Sequence, residues 1–158
     1  MKSKVNRNPI NSKNTKLLIV EDNDDQWQII QLAMRQDLGQ VTIERASSVQ
    51  QALSLLNEWE NNEWEMPKLI LSDLYMPDNV DGWQLVRQIK AMATPIRRIP
   101  IVMLTSSDSA TDIEQAYSLG IAAYMVKPVN FEGWLTCFRE VRTYWLETTT
   151  LLPLSYEF

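Results

Sequence analysis

The chain has 158 residues, 45% hydrophobic and 22% charged, with one Cys, no His and a formal net charge of -5. That length fits one domain with short extensions, and the acidic balance excludes a dominant phosphate-backbone contact with nucleic acid, which needs clustered Lys and Arg. The lack of histidine removes Ser-His-Asp and Cys-His catalysis and imidazole metal sites, leaving carboxylates, Lys and hydroxyls to do any chemistry.

Residues 1–14 are rich in Lys, Asn and Ser with little to bury, which predicts a flexible arm ahead of a folded domain at 15–147 and a tail at 148–158. Lys16 to Val20 is an unbroken apolar run ending at Glu21-Asp22, the pattern of a strand covered on both faces. Asp25 to Leu38 has helical period, with Ile29, Leu32, Ala33 and Gln36 on one side, Asp24 or Asp25 as its cap and Gly39 as its stop. A second run, Val41 to Ala46, precedes a helix over Val49 to Trp59 capped by Ser47 or Ser48. Lys68 to Ser72 is a third strand, followed by a helix over Trp83 to Met92. Ile99 to Leu104 and Ala122 to Val126 flank a helix over Ala110 to Leu119 that carries Ile113, Ala116 and Tyr117 before Gly120. In the last helix, Phe131, Trp134, Leu135, Phe138, Val141 and Trp145 follow i, i+3, i+4, i+7 spacing.

Strand and helix alternate five times, so right-handed crossovers predict a doubly wound α/β fold, a five-stranded parallel sheet with helices on both faces. No run approaches the ~18–20 unbroken apolar residues of a membrane span and the polar start lacks a signal-peptide core, which predicts a cytoplasmic protein. Cys137 reads as a buried structural thiol beside Phe138. The six tryptophans show no aromatic-basic interleaving, and packing accounts for them; Arg97-Arg98 reads as a solvated pair.

Ligands of such folds gather at the carboxyl ends of the strands. Glu21 and Asp22 end the first strand and Asp73 the third, so three acids converge and repel unless a cation lies among them. Magnesium suits that set: Asp22, Asp73 and a backbone carbonyl such as that of Tyr75 would hold it, with Glu21 on a metal-bound water. Thr105 ends the fourth strand with a hydroxyl and Lys127 ends the fifth with an ammonium, a donor and a cation for phosphoryl oxygens. Asp73 is then the nucleophile toward phosphorus, giving an acyl phosphate whose charge Lys127 and magnesium offset.

The set LIVED, DLYMP with a following Asp-Gly, MLTSS and YMVKP, in this order, resembles the receiver domain of bacterial response regulators over about Lys16 to Arg142. The resemblance implies a flavodoxin-like receiver fold and phosphoryl transfer from a partner histidine kinase to Asp73. It implies Mg2+ at Glu21, Asp22 and Asp73, phosphate contacts from Thr105 and Lys127, an aromatic switch at Tyr124 and a cis peptide before Pro128. The chain is too short for a conventional output domain as well, so signalling is expected through protein contacts of the face around Ile113 to Val141. There, phosphate drawing Thr105 inward would let Tyr124 swing toward it.

Three departures stand out. The Pro77 to Asp81 loop is one residue longer than the commonest form, the acidic pair is Glu-Asp, and Tyr75 is bulky for its position, which predicts that it shields the acyl phosphate from water. Tyr144-Trp145-Leu146 with Leu152-Pro153 resembles the single-domain regulators that pair with phytochrome-type and hybrid kinases. There Leu151, Leu152, Leu154 and Phe158 are expected to pack on the domain or on a second copy. Two rivals compete: a haloacid-dehalogenase-type phosphohydrolase, which wants an acid where Tyr75 stands, and a binding module that keeps the fold without phosphorylation.

Overall fold

The computed structural model describes residues 15–62, 64–76, 79–149 and 151. The strands are β1 (Lys16–Val20), β2 (Thr42–Ala46), β3 (Leu69–Ser72), β4 (Ile101–Thr105) and β5 (Ala123–Val126). The helices are α1 (Asp24–Asp37), α2 (Val49–Trp59), α3 (Asn79–Ala91), α4 (Ala110–Ser118) and α5 (Phe131–Val141), the last continuing as a π-helix over Arg142–Thr148. All strand pairs are parallel and the order is β2-β1-β3-β4-β5, the expected doubly wound sheet. No helix among the described residues is long and apolar enough to cross a membrane.

The two-residue period of the strands divides the core. Leu18, Val20, Ile70, Ile101 and Met103 face the layer of α2, α3 and α4, packing with Leu56, Val86, Ile89 and Ala116. Leu17, Ile19, Leu69, Leu71, Val102 and Leu104 face α1 and α5, meeting Ile30, Met34, Phe138 and Val141. The central strands β1, β3 and β4 are buried along their whole length, which explains why they read as continuous apolar runs rather than alternating ones.

Local differences from the sequence reading have local causes. In α1 the buried stripe is Ile30, Ala33 and Met34, while Ile29 and Leu32 are 40% and 54% exposed; two apolar stripes one residue apart compete, and the one that docks on α5 wins. The α1 cap is Asn23, whose side chain accepts the Gln26 N–H, so Asp24 and Asp25 occupy the first turn, where their charge suits the helix dipole. Ser48 caps α2. Helix α3 starts at Asn79, four residues before Trp83. β4 starts at Ile101 because a 3-10 turn at Ile96–Arg98 and Pro100, which lacks an N–H, precede it. In α5, Trp134, Cys137, Phe138 and Val141 are buried and Phe131 is exposed. Trp145, Leu146 and Leu151 bury against the same core as α1 and α5, so this part of the chain packs on its own domain. The arm at 1–14, Pro77, Asp78, and the expected tail contacts of Leu152, Leu154 and Phe158 lie outside the described residues.

Candidate functional site

Two loops place the three acids, one after β1 and one after β3. Asp73 follows β3 directly, and its N–H donates to Val20 O at 3.1 Å, extending the β1–β3 ladder so that its side chain emerges beside Glu21 and Asp22. Carboxylate oxygens of Glu21, Asp22 and Asp73 lie within 4.8 Å of one another. Glu21 is 2% exposed, with its backbone carbonyl accepting Arg45 Nε at 3.0 Å and its Oε1 accepting the Asn23 N–H at 3.3 Å. Burial pushes its carboxyl above the ordinary value, and the nearby Asp73 adds to this, while Lys127 and the Asn23 N–H pull the other way.

Lys127 comes from the far strand. Its backbone N–H donates to Thr105 O at 2.8 Å, continuing the β4–β5 pairing by one residue, and that extended path delivers the ammonium to the acids. Lys127 Nζ donates to Asp73 Oδ2 at 2.7 Å and to Glu21 Oε2 at 2.9 Å, and it also donates to Gln26 Oε1 of α1. The family resemblance implied a cis peptide before Pro128, and the structure corrects this. Among the described residues the cis bond is Thr94-Pro95 and not the bond before Pro128, and Lys127 Nζ still meets both acids.

Thr105 is fully buried at the end of β4, and its Oγ1 accepts the Ser107 N–H at 3.5 Å. The N-cap of α4 is Ser109, which leaves the Thr105 hydroxyl free of a capping duty. Tyr124, expected as a switch, is half-buried, and its hydroxyl donates to Ser107 O at 2.8 Å, tying β5 to the β4–α4 loop two residues beyond Thr105. Burial raises its phenol above the ordinary value. Tyr75 donates its N–H to Asp73 Oδ1 at 3.2 Å, and its hydroxyl donates to Asp112 Oδ2 at 2.7 Å. The Asp112 bond is also the main reason its phenol is held above the ordinary value.

The structure thus brings Glu21, Asp22, Asp73 and Lys127 together, with Tyr75 bonded to Asp73 through its N–H, the Thr105 carbonyl paired with the Lys127 N–H, and Tyr124 tied to the Ser107 carbonyl. Sequence reasoning noted Ser107 only as a hydroxyl following Thr105, and it missed Gln26 and Asp112, because a Gln in a first helical turn and an Asp near a helix start read as ordinary residues of a helix start. It also gave no reason for Gly82. A Cβ there would meet Leu74 O at 2.2 Å, so only Gly lets α3 lie against the backbone next to Asp73.

Residues 17–137 match the family described as the response regulator receiver domain. The probable methanogenesis regulatory protein FilR2 of Methanothrix harundinacea (strain 6Ac) is 35% identical over 130 residues, 82% of this chain and 83% of that protein. The phosphorylated cyanobacterial phytochrome response regulator RcpA is similar in structure, with a TM-score of 0.76 and 29% identity over 87% of this chain and 97% of its own. The Mn(2+)-bound form of response regulator Rcp1 has a TM-score of 0.73 and 27% identity over 88% of this chain and 99% of its own.

Proposed function

We propose that this chain, which belongs to the response regulator receiver domain family, accepts a phosphoryl group on Asp73 from a phosphohistidine of a partner kinase and signals through altered protein contacts. The single observation that carries the reading is the buried convergence of Asp73, Glu21 and Lys127 at the strand ends, with Lys127 Nζ 2.7 Å from Asp73 Oδ2.

The acids fit a divalent ion: three carboxylates supply hard oxygen ligands, and a single ammonium does not neutralise them. Glu21, Asp22, Asp73 and the Tyr75 carbonyl would hold Mg2+, which supplies charge neutralisation for the phosphoryl oxygens. That the relative Rcp1 has a Mn(2+)-bound form supports a divalent ion here.

In the transfer, a carboxylate oxygen of Asp73 forms the bond to phosphorus as the phosphorus–nitrogen bond of the donor breaks, and the imidazole leaves with the electron pair. Lys127 passes from the acids to a phosphoryl oxygen, and Thr105 donates its hydroxyl to another. Tyr124, bonded to the Ser107 carbonyl, carries the change toward α4 and β5. Tyr117, Val126 and Tyr144 are 49%, 48% and 57% exposed on that side, the apolar surface a protein partner would cover. The RcpA relative is named for a phytochrome, and that supports a kinase of phytochrome or hybrid type as the donor.

Intact mass after treatment with acetyl phosphate and Mg2+ tests the reading. Wild type is expected to gain one phosphoryl group and Asp73→Ala none. A gain that survives in Asp73→Ala, or no gain with either acetyl phosphate or a phosphorylated kinase, refutes it.

A further inference from the structure

Asp112 stands outside the acid cluster, in the first turn of α4, yet one of its oxygens gathers the loops that follow Asp73 and Thr105. Asp112 Oδ2 accepts the Tyr75 hydroxyl at 2.7 Å and the Ser107 hydroxyl at 2.6 Å. Tyr75 lies two residues past Asp73 and has its N–H on the Asp73 carboxylate; Ser107 lies two residues past Thr105 and has its N–H on the Thr105 hydroxyl. The ordinary work of an acid at that helix position is to reach back to the N–H of the cap residue. Here that N–H, on Ser109, donates to Ser107 Oγ at 3.3 Å instead, and Asp112 is turned to the loops.

Tyr75 is 41% exposed, so packing alone does not hold its ring. A charge-assisted hydrogen bond to a carboxylate on a different element does, fixing the phenol from the β3–α3 loop across to α4. The geometry points to Asp112 as a positioning residue that sets how long a phosphoryl group stays on Asp73, by anchoring the Tyr75 ring across the mouth of the site. This rests on the reading of Asp73 as phosphoacceptor.

The step affected is hydrolysis. A water oxygen bonds to phosphorus, the phosphorus–oxygen bond to Asp73 breaks, the Asp73 carboxylate leaves with the electron pair, and the water's proton passes to solvent, giving inorganic phosphate. The water must approach in line, opposite the leaving carboxylate oxygen, from the open side of the site. A ring tethered at both its backbone N–H and its hydroxyl narrows that approach, and a ring tethered only at the backbone swings clear.

The experiment phosphorylates the full chain with acetyl phosphate and Mg2+, removes the donor, and follows loss of the phosphoryl mass in wild type, Asp112→Ala, Asp112→Asn, Tyr75→Phe and the Asp112→Ala/Tyr75→Phe double variant. Asp112→Ala and Tyr75→Phe are each expected to shorten the half-life severalfold, with the double variant no shorter than either single one. Asp112→Asn, which keeps an acceptor oxygen for the phenol, is expected to recover most of the wild-type half-life. An unchanged half-life in Asp112→Ala, or single effects that multiply in the double variant, overturns the inference, because a residue that only supports α4 would act independently of the Tyr75 hydroxyl. Should Asp112→Ala fail to fold, Tyr75→Phe decides by itself, and a wild-type half-life there overturns the inference. A wild type that takes up no phosphoryl group brings down the Asp73 reading and this inference together, whereas uptake with unaltered lifetimes brings down this one alone.

Discussion

Lys127 Nζ lies 2.7 Å from Asp73 Oδ2 and 2.9 Å from Glu21 Oε2, so the ammonium occupies space that an ion shared by those carboxylates would claim. The lysine side chain is 6% exposed and the two acids 9% and 3%, so the charges meet out of water, where each depends on the others for neutralisation.

Removing that ammonium leaves the acids uncompensated. Lys127→Met is expected to lose about 3–5 kcal/mol of stability in chelator, the typical cost of breaking a buried pair from one side. Added Mg2+ should then raise the melting temperature of the variant more than that of wild type, and should bind the variant more tightly. Thermal melts with and without Mg2+, and a direct binding titration, measure both. Equal Mg2+ affinity in the two proteins would show that lysine and metal do not compete.

Glu21 supplies a pH signature of the opposite sense to most acids. Its carboxyl is raised above 4.5 by burial first of all. Below that value folded and unfolded chains both hold the proton, and the stabilisation from a neutral buried carboxyl is fully present. As pH rises through the folded value it is lost, because the unfolded chain gives up its proton at lower pH. Glu21→Gln, which keeps an oxygen for Lys127, is therefore expected to melt a few degrees above wild type near pH 7 in chelator, and level with it near pH 4. A variant that melts lower near pH 7 would mean that the Lys127 pairing outweighs burial.

The sheet was legible because each central strand is buried on both faces and so reads as an unbroken apolar run, and the acids and Lys127 were legible because strand ends converge in a parallel sheet. The α1 face was not, since Ile29-Leu32 and Ile30-Ala33-Met34 are equally good helical stripes until α5 chooses between them. Asp112 and Gln26 were not either. Their roles arise from contacts 37 and 101 residues away in sequence, which no local pattern announces.

Gly82 couples α3 to the phosphoacceptor loop. An added Cβ would lie 2.2 Å from Leu74 O and 2.6 Å from Leu74 Cα, and both are backbone atoms one residue from Asp73. Nothing there is the flexible end of a side chain, so the loop or the helix must move. Gly82→Ala is expected to cost about 1–3 kcal/mol, as overpacking does, and to slow phosphoryl uptake because Asp73 shifts with the loop. Chemical denaturation and the rate of mass gain from acetyl phosphate measure the two effects. Wild-type stability together with wild-type uptake would show that the close approach is dispensable.

Cys137 tests the packing of α5 without touching the site. It lies in the buried stripe with Trp134 and Phe138, whose rings stack at 5.9 Å, and its thiol is pushed up to about 11 by burial, with the Glu140 charge adding to it. Only the thiolate is nucleophilic, so near pH 8 the folded chain presents almost none. Iodoacetamide is expected to leave the native protein unmodified over hours and to alkylate one thiol once denaturant is added. Trp145→Ala removes a ring that packs on the same cluster, at a cost of about 3–5 kcal/mol. Local opening around α5 should then make Cys137 reactive at denaturant concentrations where wild type is still protected. Rapid alkylation of the native wild type would mean that α5 and its π-helical extension separate from the sheet far more readily than their burial allows.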